Sequence, residues 1–309
     1  MTEPQSSPPR GVYAAVLTPF SADLEPNHQA FVAHCRWLLA HGCDGLAPLG
    51  TTGEANSLSL AQRLGLIEAS AAAGLPMERC IIGTGSCALA DAVTLTKAVL
   101  ASGGSGALLL PPFYYKNPSE DGLFAFFSEV IERVGDKRLR LYLYHFPQMS
   151  AVPVTPALIQ RLKAAYGDTI AGLKDSSGDW NYTANLLKEI PGFGVYSGSE
   201  QFLLANLRAG GAGCISASTN VTAPLAGAAF RAWQRDGADA LQQELTEARL
   251  VLQGFPFQGG LKEVVARLTG DRHWLDVLPP NRPLSPAQRD QLFARLKEIR
   301  GLDPLLKAA

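Results

Sequence analysis

The chain has 309 residues, of which 47% are hydrophobic and 18% charged, with a formal net charge of −1. That composition suits a soluble globular protein with a substantial core, and the near-zero charge gives no electrostatic footprint for nucleic acid or an anionic membrane surface. The opening stretch, "MTEPQSSPPRG", is polar and proline-rich rather than a secretory signal, and no apolar run is long enough to span a bilayer, so a cytoplasmic location is expected.

Residues 1–10 are expected to be extended or disordered. From residue 11 onward, short apolar runs alternate with longer amphipathic stretches. The strand-like runs are 11–20, 44–50, 79–85, 106–113, 140–147, 169–174, 192–198 and 212–218. Helix-like segments lie between them, near 28–41, 58–73, 88–102, 119–134, 155–166, 180–189 and 200–209. In one of these, Phe124, Phe127, Val130 and Ile131 recur at helical spacing. Eight strands alternating with helices require parallel pairing with crossover connections, which predicts an α/β fold of the (β/α)8 barrel type over 11–235. An open doubly wound sheet is the competing arrangement. The remaining chain reads as helices near 222–235, 237–253, 258–269 and 285–300, broken by Gly254, Pro256, Gly270 and "LPPNRPLSP". One of these completes the barrel, and 236–309 forms a C-terminal helical extension packed on it.

The five cysteines are scattered without a CxxC pair, so reduced thiols are expected, with Cys80 and Cys214 as small core residues. No group of His, Cys and carboxylates has metal-ligand spacing, and no metal is expected.

Catalytic groups of a barrel come from the C-terminal ends of its strands. Here those ends carry "GTTGE" (50–54), "PPFYYK" (111–116), "YHFP" (144–147), "GLKD" (172–175) and "SGSE" (197–200). Strand alternation puts Ile170, Gly172 and Lys174 on one face and Ala171 and Leu173 on the other. Lys174 then points into the barrel mouth, and Tyr144, on the same face as Tyr142, reaches it from the neighbouring strand. A desolvated amine is nucleophilic and condenses with a ketone to an imine, which serves as an electron sink. A phenol suits the accompanying proton transfers. The turn Gly50-Thr51-Thr52-Gly53 offers hydroxyls and backbone N–H groups to a carboxylate. Amine, phenol and cradle together fit a 2-oxo acid. Each has an ordinary reading taken singly: a surface Lys174–Asp175 pair, a capped turn, rim aromatics at Tyr114 and Tyr115. Their placement at the ends of separate strands favours the functional one.

The ordered set "GTTGE", "PPFYYK", "YHFP", "GLKDSSGD" and "GAGCISAS", with "RPL" at 282–284, resembles the dihydrodipicolinate synthase / N-acetylneuraminate lyase family of class I, Schiff-base aldolases, from about Gly11 to the end. The resemblance implies a barrel assembled as a homo-oligomer, usually a dimer of dimers. It also implies that Lys174 forms the imine and Tyr144 shuttles the proton. Thr51 and Thr52 would hold the substrate carboxylate, with Gly53 in the same turn and Thr52 also relaying to Tyr144. Tyr115 would act across a dimer interface, and the carbonyl of Ile215 would lie beside the imine. No cofactor is implied, since the lysine itself is the electron sink.

Two departures bear on the substrate. Family synthases carry an arginine two residues after the proline of the "YHFP" position, where this chain has Met149, and a thioether cannot replace a guanidinium. The sialic acid lyases have an Asp-Glu pair where this chain has Ser199-Glu200 after Gly198. The expected activity is therefore cleavage of a 4-hydroxy-2-oxo acid or 2-keto-3-deoxy sugar acid to pyruvate and an aldehyde. Ser176, Gly198, Ser199 and Glu200 are candidates for the distal contacts, and His145 is either a ligand or a packed imidazole. Dehydration or deamination through the same imine, the synthase condensation, and a non-catalytic 2-oxo acid sensor are the alternatives.

Overall fold

The computed structural model describes residues 8–302. Residues 1–7 of the expected N-terminal tail and the last seven of the C-terminal extension lie outside the described residues. Eight strands form one sheet: β1 Gly11–Ala14, β2 Gly45–Leu46, β3 Ile81–Gly83, β4 Gly106–Leu109, β5 Leu141–His145, β6 Ile170–Asp175, β7 Gly194–Ser197 and β8 Gly213–Ser216. Their order is β2-β1-β8-β7-β6-β5-β4-β3, and every pairing is parallel. A parallel bridge between Leu46 and Cys80 joins the two ends, so the sheet closes into a (β/α)8 barrel.

The helices are α1 His28–Ala40, α2 Leu60–Ala72, α3 Leu89–Ala101, α4 Glu120–Val134, the single turn α5 Pro147–Ser150, α6 Pro156–Tyr166, α7 Trp180–Glu189, α8 Leu203–Arg208 and α9 Thr219–Ala232. Their starts are set locally. Asn27, Ser119, Thr155 and Asp179 cap through their side chains, and Ser59 with Gln62 closes a capping box. Beyond α9 come α10 Ala238–Gln253, α11 Phe257–Thr269 and α12 Pro286–Leu296. These do not form a core of their own. Val251, Leu261, Val264, Trp274 and Leu292 share one cluster with Leu17, Ala217 and Val221 of the barrel. Leu17 follows β1 and Ala217 follows β8, so the helices are held at the mouth end of those strands.

Two layers of side chains surround the strands. The outer layer packs them against the helices, with Leu141, Leu143, Leu173, Phe127 and Leu158 among its members. The inner layer fills the barrel, and its largest members are Tyr13, Tyr142, Tyr144 and Tyr196. Tyr196 meets Tyr13 and Tyr142 edge-on, with ring centroids 5.6 and 5.9 Å apart.

The alternation expected on β6 holds in only part of the strand. Gly172 and Lys174 do face inward past Leu173, but Ile170 packs with Leu173 in the outer layer and Ala171 against the inner one. The cause is a register shift of the ladder to β5 between Leu141 and Tyr142. One extra residue on β6 turns the faces of everything before it.

Candidate active site

From Tyr142↔Gly172 onward, β5 and β6 are in register, and Tyr144 pairs directly with Lys174. Alternation sends both side chains to the inner face, and Lys174 Nζ lies 4.4 Å from the centroid of the Tyr144 ring. Lys174 is only 4% exposed. What little it shows opens onto a cavity of about 520 Å³ at the mouth, which it lines with Tyr144, Thr51 and Thr52. The lysine at the end of this apolar run is thus a desolvated amine facing a ligand-sized space.

Thr51 and Thr52 sit on the turn that follows β2. Glu54, in a left-handed conformation at φ 57°, ends that turn and anchors it from behind. Its carboxylate accepts from Lys262 Nζ at 2.6 Å, Leu278 N–H at 2.7 Å and Asn281 Nδ2 at 3.2 Å. The Lys262–Glu54 pair is fully buried, and Lys262 also donates to the Asp276 carbonyl at 2.7 Å. Burial pulls Lys262 down to about 8, against the opposing pull of Glu54. Gln258 Nε2 donates to the Thr51 carbonyl at 3.4 Å. The turn is therefore held through its backbone and Glu54, and both threonines line the cavity.

The loop after β6 lines the cavity with Ser176, Ser177, Gly178 and Asp179. Asp175 positions it by accepting from Ser177 N–H at 2.9 Å and from the Thr183 hydroxyl. Behind this loop His145 stacks on Tyr182 with centroids 4.1 Å apart, and its Nδ1 accepts from Val154 N–H at 3.1 Å. Burial holds His145 below the usual histidine range, although Asp175 and Asp179 pull the other way. It sits as a packed, neutral imidazole outside the cavity wall.

The structure thus brings Lys174, Tyr144, Thr51, Thr52, Ser176, Gly198 and Ser199 to one cavity. It does not bring Glu200 there. Glu200 is fully buried, and its carboxylate accepts from the hydroxyls of Ser216, Ser218 and Thr222, so it supports the end of β8 instead of facing a substrate. Gly53 turns its carbonyl to Thr18 Oγ1 at 2.9 Å, behind the threonines. Ile215 is enclosed in the inner layer. Tyr115 is 78% exposed, edge-on to Tyr114 at 5.3 Å, and stands away from this chain's own cavity.

Several cavity residues were not foreseen: Arg249 and Gln253 of α10, and Phe257 and Gln258 at the start of α11. Met149 of α5, noted from sequence at the arginine position, also lines the cavity. Arg249 and Gln253 stand four residues apart on a helix that the sequence places only in the C-terminal extension, so the docking of α10 at the mouth reveals them. Among the described residues no group of three or more His, Cys, Asp or Glu is gathered as a metal site, and no helix is long and apolar enough to cross a membrane.

A closed parallel barrel with a lysine and a tyrosine paired at its mouth defines a class of enzyme fold, and the comparisons specify it. Residues 8–299 match the model of the dihydrodipicolinate synthetase family, and the chain belongs to that family. It is 35% identical over 291 residues to an uncharacterized DapA-like lyase of Chloroflexus aurantiacus, covering 93% of this chain and 94% of that one. It is 33% identical over 293 residues to the 4-hydroxy-tetrahydrodipicolinate synthase of Agrobacterium fabrum, covering 93% and 97%. Among solved structures, dihydrodipicolinate synthase from Agrobacterium tumefaciens superimposes with a TM-score of 0.87 at 34% identity over 94% of this chain and 99% of that one. YagE, a prophage protein of E. coli solved in complex with pyruvate, gives 0.87 at 28% identity over 94% and 98%.

Proposed function

We propose that this enzyme is a class I aldolase or lyase that cleaves a 4-hydroxy-2-oxo acid or 2-keto-3-deoxy sugar acid to pyruvate and an aldehyde. The observation that carries the reading is the pairing of Lys174 Nζ with the Tyr144 ring at 4.4 Å, at the cavity shared with Thr51 and Thr52. The Lys174 amine adds to C2 of the substrate, and water leaves as the imine forms. Tyr144 takes the proton of the C4 hydroxyl, the C3–C4 bond breaks, and its electron pair passes into the protonated imine to give an enamine. The aldehyde departs, C3 is protonated, and water releases pyruvate from Lys174. Thr51 and Thr52 hold the C1 carboxylate by hydroxyl and backbone donors. The imine supplies the electron sink, so the reaction draws on no further cofactor. The exposed pair Tyr114 and Tyr115 supports contact with a second copy of the chain in a homo-oligomer, and a cytoplasmic setting fits the free thiols.

A second reading keeps the imine but runs it towards condensation, as in 4-hydroxy-tetrahydrodipicolinate synthase, the name carried by the Agrobacterium fabrum relative. Met149 at the expected arginine position speaks against it, since an arginine from elsewhere in the chain would then be required to hold the second substrate's carboxylate. Dehydration or deamination would use the same groups with a different leaving group. The deciding experiment is incubation with pyruvate and borohydride followed by peptide mass spectrometry. A reduced pyruvyl adduct on Lys174, absent in Lys174→Ala, is expected, with pyruvate and an aldehyde in equal amounts from the true substrate. Folded protein that traps neither pyruvate nor a 2-keto-3-deoxy sugar acid would refute the mechanism.

A further inference from the structure

The cavity is asymmetric about Lys174. The ends of β3 and β4 do not line it; Gly85, Leu108 and Leu110 line a small adjoining void that meets it only at Thr51 and Tyr144. Its far wall comes from the loops after β6, β7 and β8 and from α10 and α11. A molecule with its C1 carboxylate on Thr51 and Thr52 and C2 on Lys174 therefore extends its distal end toward that wall, and the cation there is Arg249.

Arg249 is built in. Its side chain is 13% exposed. Nη1 donates to Ser216 Oγ at 3.2 Å and Ser218 Oγ at 3.1 Å, and lies 3.6 Å from the buried Glu200 carboxylate. Its guanidinium carbon sits 4.6 Å from the centroid of the Phe257 ring. Nε donates to Gln253 Oε1 at 3.3 Å, and Gln201 Nε2 donates to the same oxygen at 3.4 Å. An arginine nitrogen can only donate, so this contact fixes the orientation of the Gln253 amide. Among the described residues, Arg249 Nη2 and Gln253 Nε2 have no protein acceptor. Both are donors, and both belong to residues lining the cavity. Glu200 offsets the Arg249 charge, so these two free donors offer hydrogen bonds with little net positive charge, which suits a carboxylate rather than a phosphate dianion. Asp175 and Asp179 line the same cavity from the end of β6 and the loop after it.

We propose that Arg249 and Gln253 bind a second carboxylate on the part of the substrate that leaves as the aldehyde. The substrate is then a 4-hydroxy-2-oxo dicarboxylate, and the aldehyde product is itself an oxo acid. The identity of the substrate rests on the lysine-imine reading above. The subsite itself does not, because it is read by binding alone.

The test has two arms. Calorimetry compares 2-oxoglutarate with 2-oxopentanoate, which share a five-carbon chain and differ in the distal carboxylate. The wild-type protein is expected to bind the diacid at least tenfold tighter, and Arg249→Gln to erase most of that preference. Arg249→Gln leaves Glu200 buried without its cation, so the double variant Arg249→Gln/Glu200→Gln is measured beside it and should show the same loss. In the kinetic arm, the ratio of kcat/KM for 4-hydroxy-2-oxoglutarate to that for 2-keto-3-deoxygluconate should exceed ten and fall at least tenfold in the variants. Equal binding of the two oxo acids by the wild-type protein, or an unchanged ratio in both variants, would overturn the proposal. Failure of borohydride trapping on Lys174 with the diacid preference intact would remove the aldolase reading and leave the subsite standing.

Discussion

Lys174 and Tyr144 are direct partners across the β5–β6 ladder, and this places the amine 4.4 Å from the ring centroid. Neither residue is on a loop, so their separation is set by backbone hydrogen bonding and cannot drift with side-chain repacking. Tyr144→Phe keeps the ring beside Lys174 and deletes only the hydroxyl. The expected result is a kcat lower by roughly 10²–10⁴ with a much smaller change in KM. Steady-state kinetics check it, with borohydride trapping of pyruvate as a separate reading of imine formation. A kcat within a few-fold of wild type would assign the proton shuttle elsewhere.

The Glu54–Lys262 pair ties the threonine turn to α11, and both side chains are fully buried. Lys262→Met removes the cation and strands a carboxylate that keeps only Leu278 N–H and Asn281 as donors. A loss of about 3–5 kcal/mol is expected, read as a lower urea midpoint. Adding Glu54→Gln should restore much of it, because the buried charge goes too. The KM for the 2-oxo acid should rise in the single variant, since Thr51 and Thr52 lose the support behind their turn. Equal midpoints for the single and double variants would mean that the buried charge is not the source of the loss.

His34 gives the fold an acid limit. It is buried on α1, with Nε2 2.9 Å from Asn220 Oδ1 and its ring edge-on to Trp274 at 4.8 Å. Burial lowers it from 6.5 to about 4, with the Asn220 hydrogen bond opposing the shift. The unfolded chain therefore takes up the proton first. Stability is fully present above pH 6.5 and is lost as pH falls towards 4, by up to about 3 kcal/mol. Burial also lowers His145, which steepens the same limb. Urea midpoints measured across this range should fall less steeply for His34→Gln than for the wild-type protein. Identical slopes would show that His34 titrates as a solvated side chain.

Much of this architecture is legible in the sequence because short apolar runs and amphipathic stretches alternate so regularly. Each of the eight runs meets a strand, with β6 reaching one residue past its run to Asp175, yet the run 11–20 contributes only Gly11–Ala14 to the ladder. Val16, Leu17 and Phe20 are buried beyond it without extending the sheet, and hydrophobicity alone does not separate the two cases. Lys174 and Tyr144 stand out because each ends an apolar strand. Glu200 misleads for a similar reason, as an acid just past a strand end resembles a ligand. The hydroxyls that capture it, from Ser216, Ser218 and Thr222, come from the end of β8 and the first turn of α9 and meet it only in the folded protein. The faces of Ile170 and Ala171 were also beyond the pattern, since a bulge leaves no mark on composition.

Gly172 lies two residues before Lys174 on β6, against the inner tyrosines. A Cβ there would stand 2.3 Å from the Gly194 carbonyl oxygen and 2.8 Å from the Tyr142 ring. The first neighbour is ladder backbone, and the second is a fully buried ring against Tyr196, so neither can retreat without disturbing β5 or β7. Gly172→Ala is expected to cost about 1–3 kcal/mol through overpacking. It should also slow trapping of pyruvate on Lys174, because widening the β5–β6–β7 seam moves the amine away from Tyr144. Gly65→Ala on α2 is the contrasting case. Its new Cβ meets only the His28 ring, at 3.5 Å, and a helix-interior glycine gives up about 0.5–1 kcal/mol relative to alanine, so stability should rise. Urea midpoints for both variants and the trapping rate for Gly172→Ala check the pair. A Gly172→Ala protein as stable and as quickly trapped as wild type would mean that the seam yields, and that the Lys174–Tyr144 spacing does not depend on the glycine beneath it.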